Sequence, residues 1–140
     1  MAGISLPAVI GPTENALRAL LPIVLAPSGI RSYEEWVALN IAAADLPSAE
    51  TVQAIATALK TSSERVMETV GALRSRELFD DQHQLTPEGN AQLRTARHAV
   101  TEMTQDLLRG IDEADLHLTA RVLDTVRQHA EAELAARATE

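Results

Sequence analysis

The sequence predicts a mainly α protein with a helix-turn-helix, a short β-hairpin after it, and long helices towards both ends. Three observations carry this. Alanine and leucine are abundant, while β-branched residues do not cluster in alternating runs. Two short amphipathic patterns, "AETVQAIATALK" and "SSERVMETVGALRSRE", are joined by little more than "KT", a helix-turn-helix spacing. The stretch "FDDQHQLTPEG" (79–89) then passes from an apolar residue through short polar ones into a helix start.

The 140 residues suffice for one domain with a real core, or for one protomer of an intertwined dimer. There is no cysteine, hence no disulfide, thiolate metal site or cysteine nucleophile, which fits a cytoplasmic location. No unbroken run of about 18 apolar residues is present, so no membrane span is expected. The beginning, "MAGISLPAVIGP", lacks the charged region of a signal peptide. Net charge is −8, whereas a nucleic-acid-binding domain usually has a basic face.

Residues 1–12, with Pro7, Gly11 and Pro12, read as an apolar arm rather than a helix. Its Leu6, Val9 and Ile10 need a cover, and we assign them to a dimer contact. Thr13 is expected to cap a helix with Leu17, Leu20, Leu21 and Val24 inward, kinked or split at Pro22 and ended by "APSG" (26–29). Ser32 and Glu35 have capping-box spacing before a helix whose stripe is Tyr33, Trp36, Val37 and Ile41. The helix-turn-helix follows. Val52, Ile55, Ala56 and Leu59 face inward from its first helix; Val66, Val70 and Leu73 do so from its second, with Met67 beside them. Thr61 and Glu64 are expected to form another capping box.

Thr86 caps, and Pro87 takes the first position of, a long helix. Leu93, Ala96, Val100, Met103 and Leu107 form its seam, and Gly110 stops it. Asp112 is expected to cap a last helix with Leu116, Val122, Leu123, Val126 and Ala130 on one side. At 1.5 Å per residue each of these helices is roughly 35 Å long, too long for a small centre to cover. Their apolar seams point to a homodimer, with Leu107, Leu116, Val122, Leu123 and Val126 as contacts.

This order of elements, with "SSERVMETVGALRSRELF" (62–79) running into "LTPEG" (85–89), resembles the MarR family of winged-helix regulators. Leu73, Arg76, Leu78 and Phe79 match a family pattern in which a glycine usually stands where this chain has Glu77. The resemblance implies one domain over 1–140: a winged-helix lobe at 32–86, and dimerisation helices at 13–31 and 87–137. It further implies a homodimer whose two lobes meet successive major grooves of double-stranded DNA, under the control of a small aromatic effector.

Three departures bear on this. Five residues separate Phe79 from Leu85, and none is a lysine or arginine, so the wing is a stub lacking the family's basic tip. Glu64 and Glu68 stand near the start of the recognition helix. Residues 49–89 hold four basic groups (Lys60, Arg65, Arg74, Arg76) against seven acidic ones, a local charge of −3. A carboxylate facing phosphate repels it, whereas one facing a cytosine amino group can accept from it. Glu64 is expected to serve a cap, and Glu68 to pair with Arg65.

The DNA-binding candidates are therefore Lys60, Ser62, Ser63, Arg65, Arg76 and His83, with Arg65 foremost. The alternative keeps the fold and turns the DNA face into a protein- or ligand-binding surface. Trp36 either lines an effector pocket or is plain core. His98, His117 and His129 lie too far apart for a metal site, and no cofactor is expected. No nucleophile–base grouping or phosphate-cradling loop is present, so no catalytic residue is assigned and an enzyme is not expected.

Overall fold

The computed structural model describes residues 3–139. Among the described residues six α-helices follow one another: α1 (Leu6–Leu25), α2 (Tyr33–Ala42), α3 (Ser48–Leu59), α4 (Ser63–Ser75), α5 (Pro87–Leu108) and α6 (Glu113–Ala138). Contacts gather the chain into two compact units, Met1–Thr104 and Gln105–Glu140.

In the first unit α2, α3 and α4 pack against one another, and α1 packs on α2. The predicted stripes of α3 and α4 hold. Ile55, Ala56, Val66, Val70 and Leu73 are buried, while Met67 is exposed. In α2 the buried face is Glu35, Ala38, Leu39 and Ala42, displaced from the predicted stripe. Tyr33, Trp36, Val37 and Ile41 are half-buried instead. Small alanines allow close helix approach, so the tightest face of α2 is not its bulkiest one.

The apolar arm is corrected: residues 6–12 are the first turns of α1, where Leu6 and Ile10 are exposed and Val9 is half-buried. Pro7 sits in the first turn, where a missing N–H costs nothing. The helix runs on through Pro12 and Pro22 without the expected split, and Thr13 lies inside it rather than capping it. Proline's φ is already helical, so each ring removes one bond to the preceding turn without forcing an end. Leu17, expected inward, is half exposed, and Leu25 is the one buried residue of this helix. The 3₁₀ turn Ala26–Ser28 and Gly29, at φ +82°, then end it as "APSG" predicted.

One helical segment bears on the membrane expectation. Leu6–Ser28, with mean hydropathy 1.2, is long and apolar enough to cross a membrane by length and composition. Counting unbroken apolar runs misses it because Glu14 and Arg18 interrupt the sequence. These two charges pair with each other one turn apart, at 2.5 Å.

The hairpin is smaller than expected. Among the described residues it holds no strand, only a single antiparallel bridge between Phe79 and Leu85. Five intervening residues leave room for one rung before the chain must turn. The Asp80 carboxylate closes that turn, accepting from the backbone N–H groups of Gln82 (2.8 Å) and Gln84 (3.0 Å). Leu78 and Phe79 are buried at its base. Thr86 then caps α5: its Oγ1 accepts from Gly89 N (3.0 Å) and donates to Glu77 O (2.6 Å).

In the second unit α6 has no buried residue. Leu118, Val122, Leu123, Val126 and Leu134 are all exposed in the single chain. Gly110, at φ +84°, follows the end of α5, and Asp112 holds the N-cap position of α6 without a side-chain cap bond.

Candidate nucleic-acid interface

The turn between α3 and α4 is built by a helix-ending motif. Lys60 takes a left-handed conformation (φ +54°), its N–H donates to Thr57 O (3.3 Å), and the N–H of Thr61 donates to Ala56 O (3.1 Å). Its ammonium bonds Thr57 O at 2.9 Å, which satisfies an orphan helix carbonyl. The expected capping box is displaced by one residue. Ser62, not Thr61, caps α4, and its Oγ accepts from Arg65 N at 3.3 Å. Glu64 is left in the exposed first turn.

Lys60, Ser62, Ser63 and Arg65 are thereby brought together and exposed at one helix start. Arg65 and Glu68 form no ion pair, contrary to the i,i+3 expectation. The Arg65 guanidinium bonds nothing among the described residues; its hydrogen bonds are made by its backbone.

Arg76 and His83 do not join this group. Arg76 lies at the far end of α4, about 17 Å away for eleven residues of helix. Its guanidinium is committed inward, to both Glu35 carboxylate oxygens (2.7 and 3.0 Å) and to Gly29 O (2.8 Å). Glu35 in turn accepts from Arg31 N at 2.9 Å, so its carboxylate serves this pair rather than completing the expected capping box. Ser32 alone supplies the cap, accepting from Glu35 N at 3.1 Å.

His83 folds back onto the start of α3, its Nδ1 2.7 Å from Ser48 Oγ. The neighbouring Gln84 donates to Leu46 O at 2.8 Å, so the stub is fastened to the lobe rather than projecting from it.

A cavity of about 560 Å³ opens beside the start of α4. Arg18, Tyr33 and Glu34 line one side; Lys60, Arg65 and Glu68 line the other. Arg18 lies over the Tyr33 ring at 4.4 Å from its centre. Its bond to Glu14, and the charges around it, raise its pKa above the ordinary arginine value. Sequence reasoning missed this site because Arg18 and Tyr33 are far from Arg65 in the chain, and no local spacing links them. A smaller cavity of about 260 Å³ is lined by Pro27, Ser28, Ala91, Gln92 and Thr95. Trp36 lines neither; it packs, half-buried, against the core.

Among the described residues no group of three His, Asp or Glu side chains is placed to hold a metal. His98 pairs with Glu102 (3.2 Å), and His117 with Glu113 (3.7 Å), each one turn along its own helix. Arg97 donates to Asn40 Oδ1 at 2.9 Å.

No family model and no curated protein matches the chain. Solved structures do. A MarR-family transcriptional regulator from Rhodococcus sp. RHA1 superposes with a TM-score of 0.70 at 16% identity, covering 89% of this chain and 96% of that one. The chain has the MarR-family fold. A second MarR-fold neighbour, from Mycobacterium tuberculosis, was solved in complex with DNA (TM-score 0.70, 19% identity, 89% and 98% covered). The same protein in complex with salicylic acid gives a TM-score of 0.65 at 19% identity, with 89% and 99% covered.

Proposed function

We propose that this protein is a homodimeric winged-helix transcriptional regulator that binds duplex DNA and responds to a small effector. It is a cytoplasmic regulator, not an enzyme. The observation that carries the reading is the start of α4, where Ser62, Ser63 and an unengaged Arg65 stand exposed together on a MarR-type helix-turn-helix. A helix N-terminus offers free N–H groups to phosphate, and an arginine there can reach a guanine edge. The apolar faces of α1 and α6 are covered by a second copy of the chain, which brings two lobes to one DNA site. The stub contributes little, since Asp80 is spent on its own turn and His83 on Ser48.

The test is a selection from random and genomic duplexes at two salt concentrations. With Lys60 from each lobe on phosphate and Arg65 on a base edge, the logarithmic salt slope is shallow, on the order of −2. Arg65→Ala weakens specific binding roughly tenfold or more. Absence of any duplex binding at low salt overturns the reading.

One set of observations favours a second reading, a dimer whose α4 face binds a protein or another ligand instead of DNA. Glu64 and Glu68 are exposed on α4, and neither forms an ion pair among the described residues. Glu68→Arg separates the two. Strong duplex binding gained by that variant over an inactive parent supports the loss of DNA binding.

A further inference from the structure

The cavity beside α4 holds charges of both signs that do not meet each other. Arg18 is already matched by Glu14. The Lys60 ammonium touches a backbone carbonyl but no carboxylate. The Arg65 guanidinium and the Glu34 and Glu68 carboxylates make no hydrogen bond or ion pair among the described residues, although all of them line one space. On a bare helix surface Arg65 and Glu68, three residues apart, would be expected to pair.

We propose that this cavity binds a small amphoteric molecule carrying both a carboxylate and a protonated amine, of the size of an aromatic amino acid. Its carboxylate meets Arg65 and Lys60, and its ammonium meets Glu34 and Glu68. Tyr33, Leu59 and Val66 give its body an apolar wall. A volume of about 560 Å³ is within the range of small-ligand sites. A plain anion is disfavoured there because two unmatched carboxylates face it alongside two unmatched cations. The inference deepens the effector reading by naming the ligand class. Its test uses the free protein without DNA, so failure of one leaves the other standing.

The experiment titrates the full chain with three probes on one carbon skeleton, followed by amide NMR: L-phenylalanine, its amide (a cation) and its N-acetyl derivative (an anion). The expected result is saturable shifts at Tyr33 and Lys60–Arg65 with L-phenylalanine, and binding weaker by roughly tenfold for each single-charge derivative. Glu68→Gln should narrow the gap between the amino acid and the N-acetyl form. Arg65→Gln should narrow the gap to the amide. Both positions are exposed, and unchanged melting curves verify that the variants fold. Equal binding of the N-acetyl form, or no saturable shift with any probe, overturns the proposal.

Discussion

Arg76 and Glu35, forty-one residues apart, form a two-bonded ion pair that ties the end of α4 to the start of α2. Glu35 is buried and Arg76 is one-fifth exposed. Truncating the arginine leaves a buried carboxylate without its counter-charge. Arg76→Ala is therefore expected to cost about 2–4 kcal/mol, near the range for breaking a buried pair and lowered by the partial exposure. Urea unfolding measures it. Arg76→Lys should recover only part, because lysine cannot bond both carboxylate oxygens and Gly29 O at once. An Arg76→Ala protein as stable as the parent would show that the pair is not holding the lobe.

Glu77 occupies the place where the family pattern has glycine, and its backbone is left-handed at φ +61°. It closes α4 with two bonds, Glu77 N to Arg74 O and Leu78 N to Leu73 O, both 3.0 Å. A side chain there carries a backbone penalty that glycine lacks, partly offset by glycine's greater freedom when unfolded. Glu77→Gly is expected to raise stability by about 0.5–1 kcal/mol, read as a shift in the denaturation midpoint.

Gly89 explains why the Leu-Thr-x-x-Gly pattern ends in glycine. A Cβ at this position would collide with the Leu78 carbonyl oxygen, at the point where α5 crosses the base of the stub. Backbone cannot yield as a flexible side chain does. Gly89→Ala is expected to destabilise the fold by roughly 2–3 kcal/mol, despite alanine's better helix propensity. Calorimetric melting of the variant checks this; a rise in melting temperature would contradict the close approach.

Leu123 and Val126 are each about two-fifths exposed on α6, a helix with no buried residue of its own. If a second copy covers this face, an aspartate there must be desolvated on assembly. Leu123→Asp and Val126→Asp are each expected to weaken dimerisation by about 2 kcal/mol or more, roughly thirtyfold. Sedimentation over a concentration series reads it directly. A parent chain that stays monomeric at every concentration removes the dimer from the proposed function.

The helix-turn-helix was legible because its signals are local. Val52, Ile55 and Ala56, then Val66, Val70 and Leu73, repeat at helical spacing, and the chain between them is too short for anything but a turn. Thr86, Pro87 and Gly89 likewise marked the start of α5. The arm at 6–12 was misread because its prolines were taken as breakers, although Pro7 sits where a helix tolerates it and the helix runs on through Pro12. The cap at Thr61 slipped to Ser62, since both are cap-formers and only the left-handed turn at Lys60 chooses between them.

The candidate site divides the same way. Lys60, Ser62, Ser63 and Arg65 were readable from one stretch and do lie together. Arg76 and His83 stood among the same candidates, yet each has a partner from another element, Glu35 and Ser48.

By itself the sequence determined the helical class, the helix-turn-helix and the short hairpin position, because periodicity, caps and turn residues act over a few neighbouring positions. The tertiary structure decided which charges are free. Arg76 is spent on Glu35 and His83 on Ser48, while Arg65, Glu34 and Glu68 stand unengaged around one cavity. A charge's availability depends on partners brought near by packing, often dozens of residues away, and no local pattern encodes that distance.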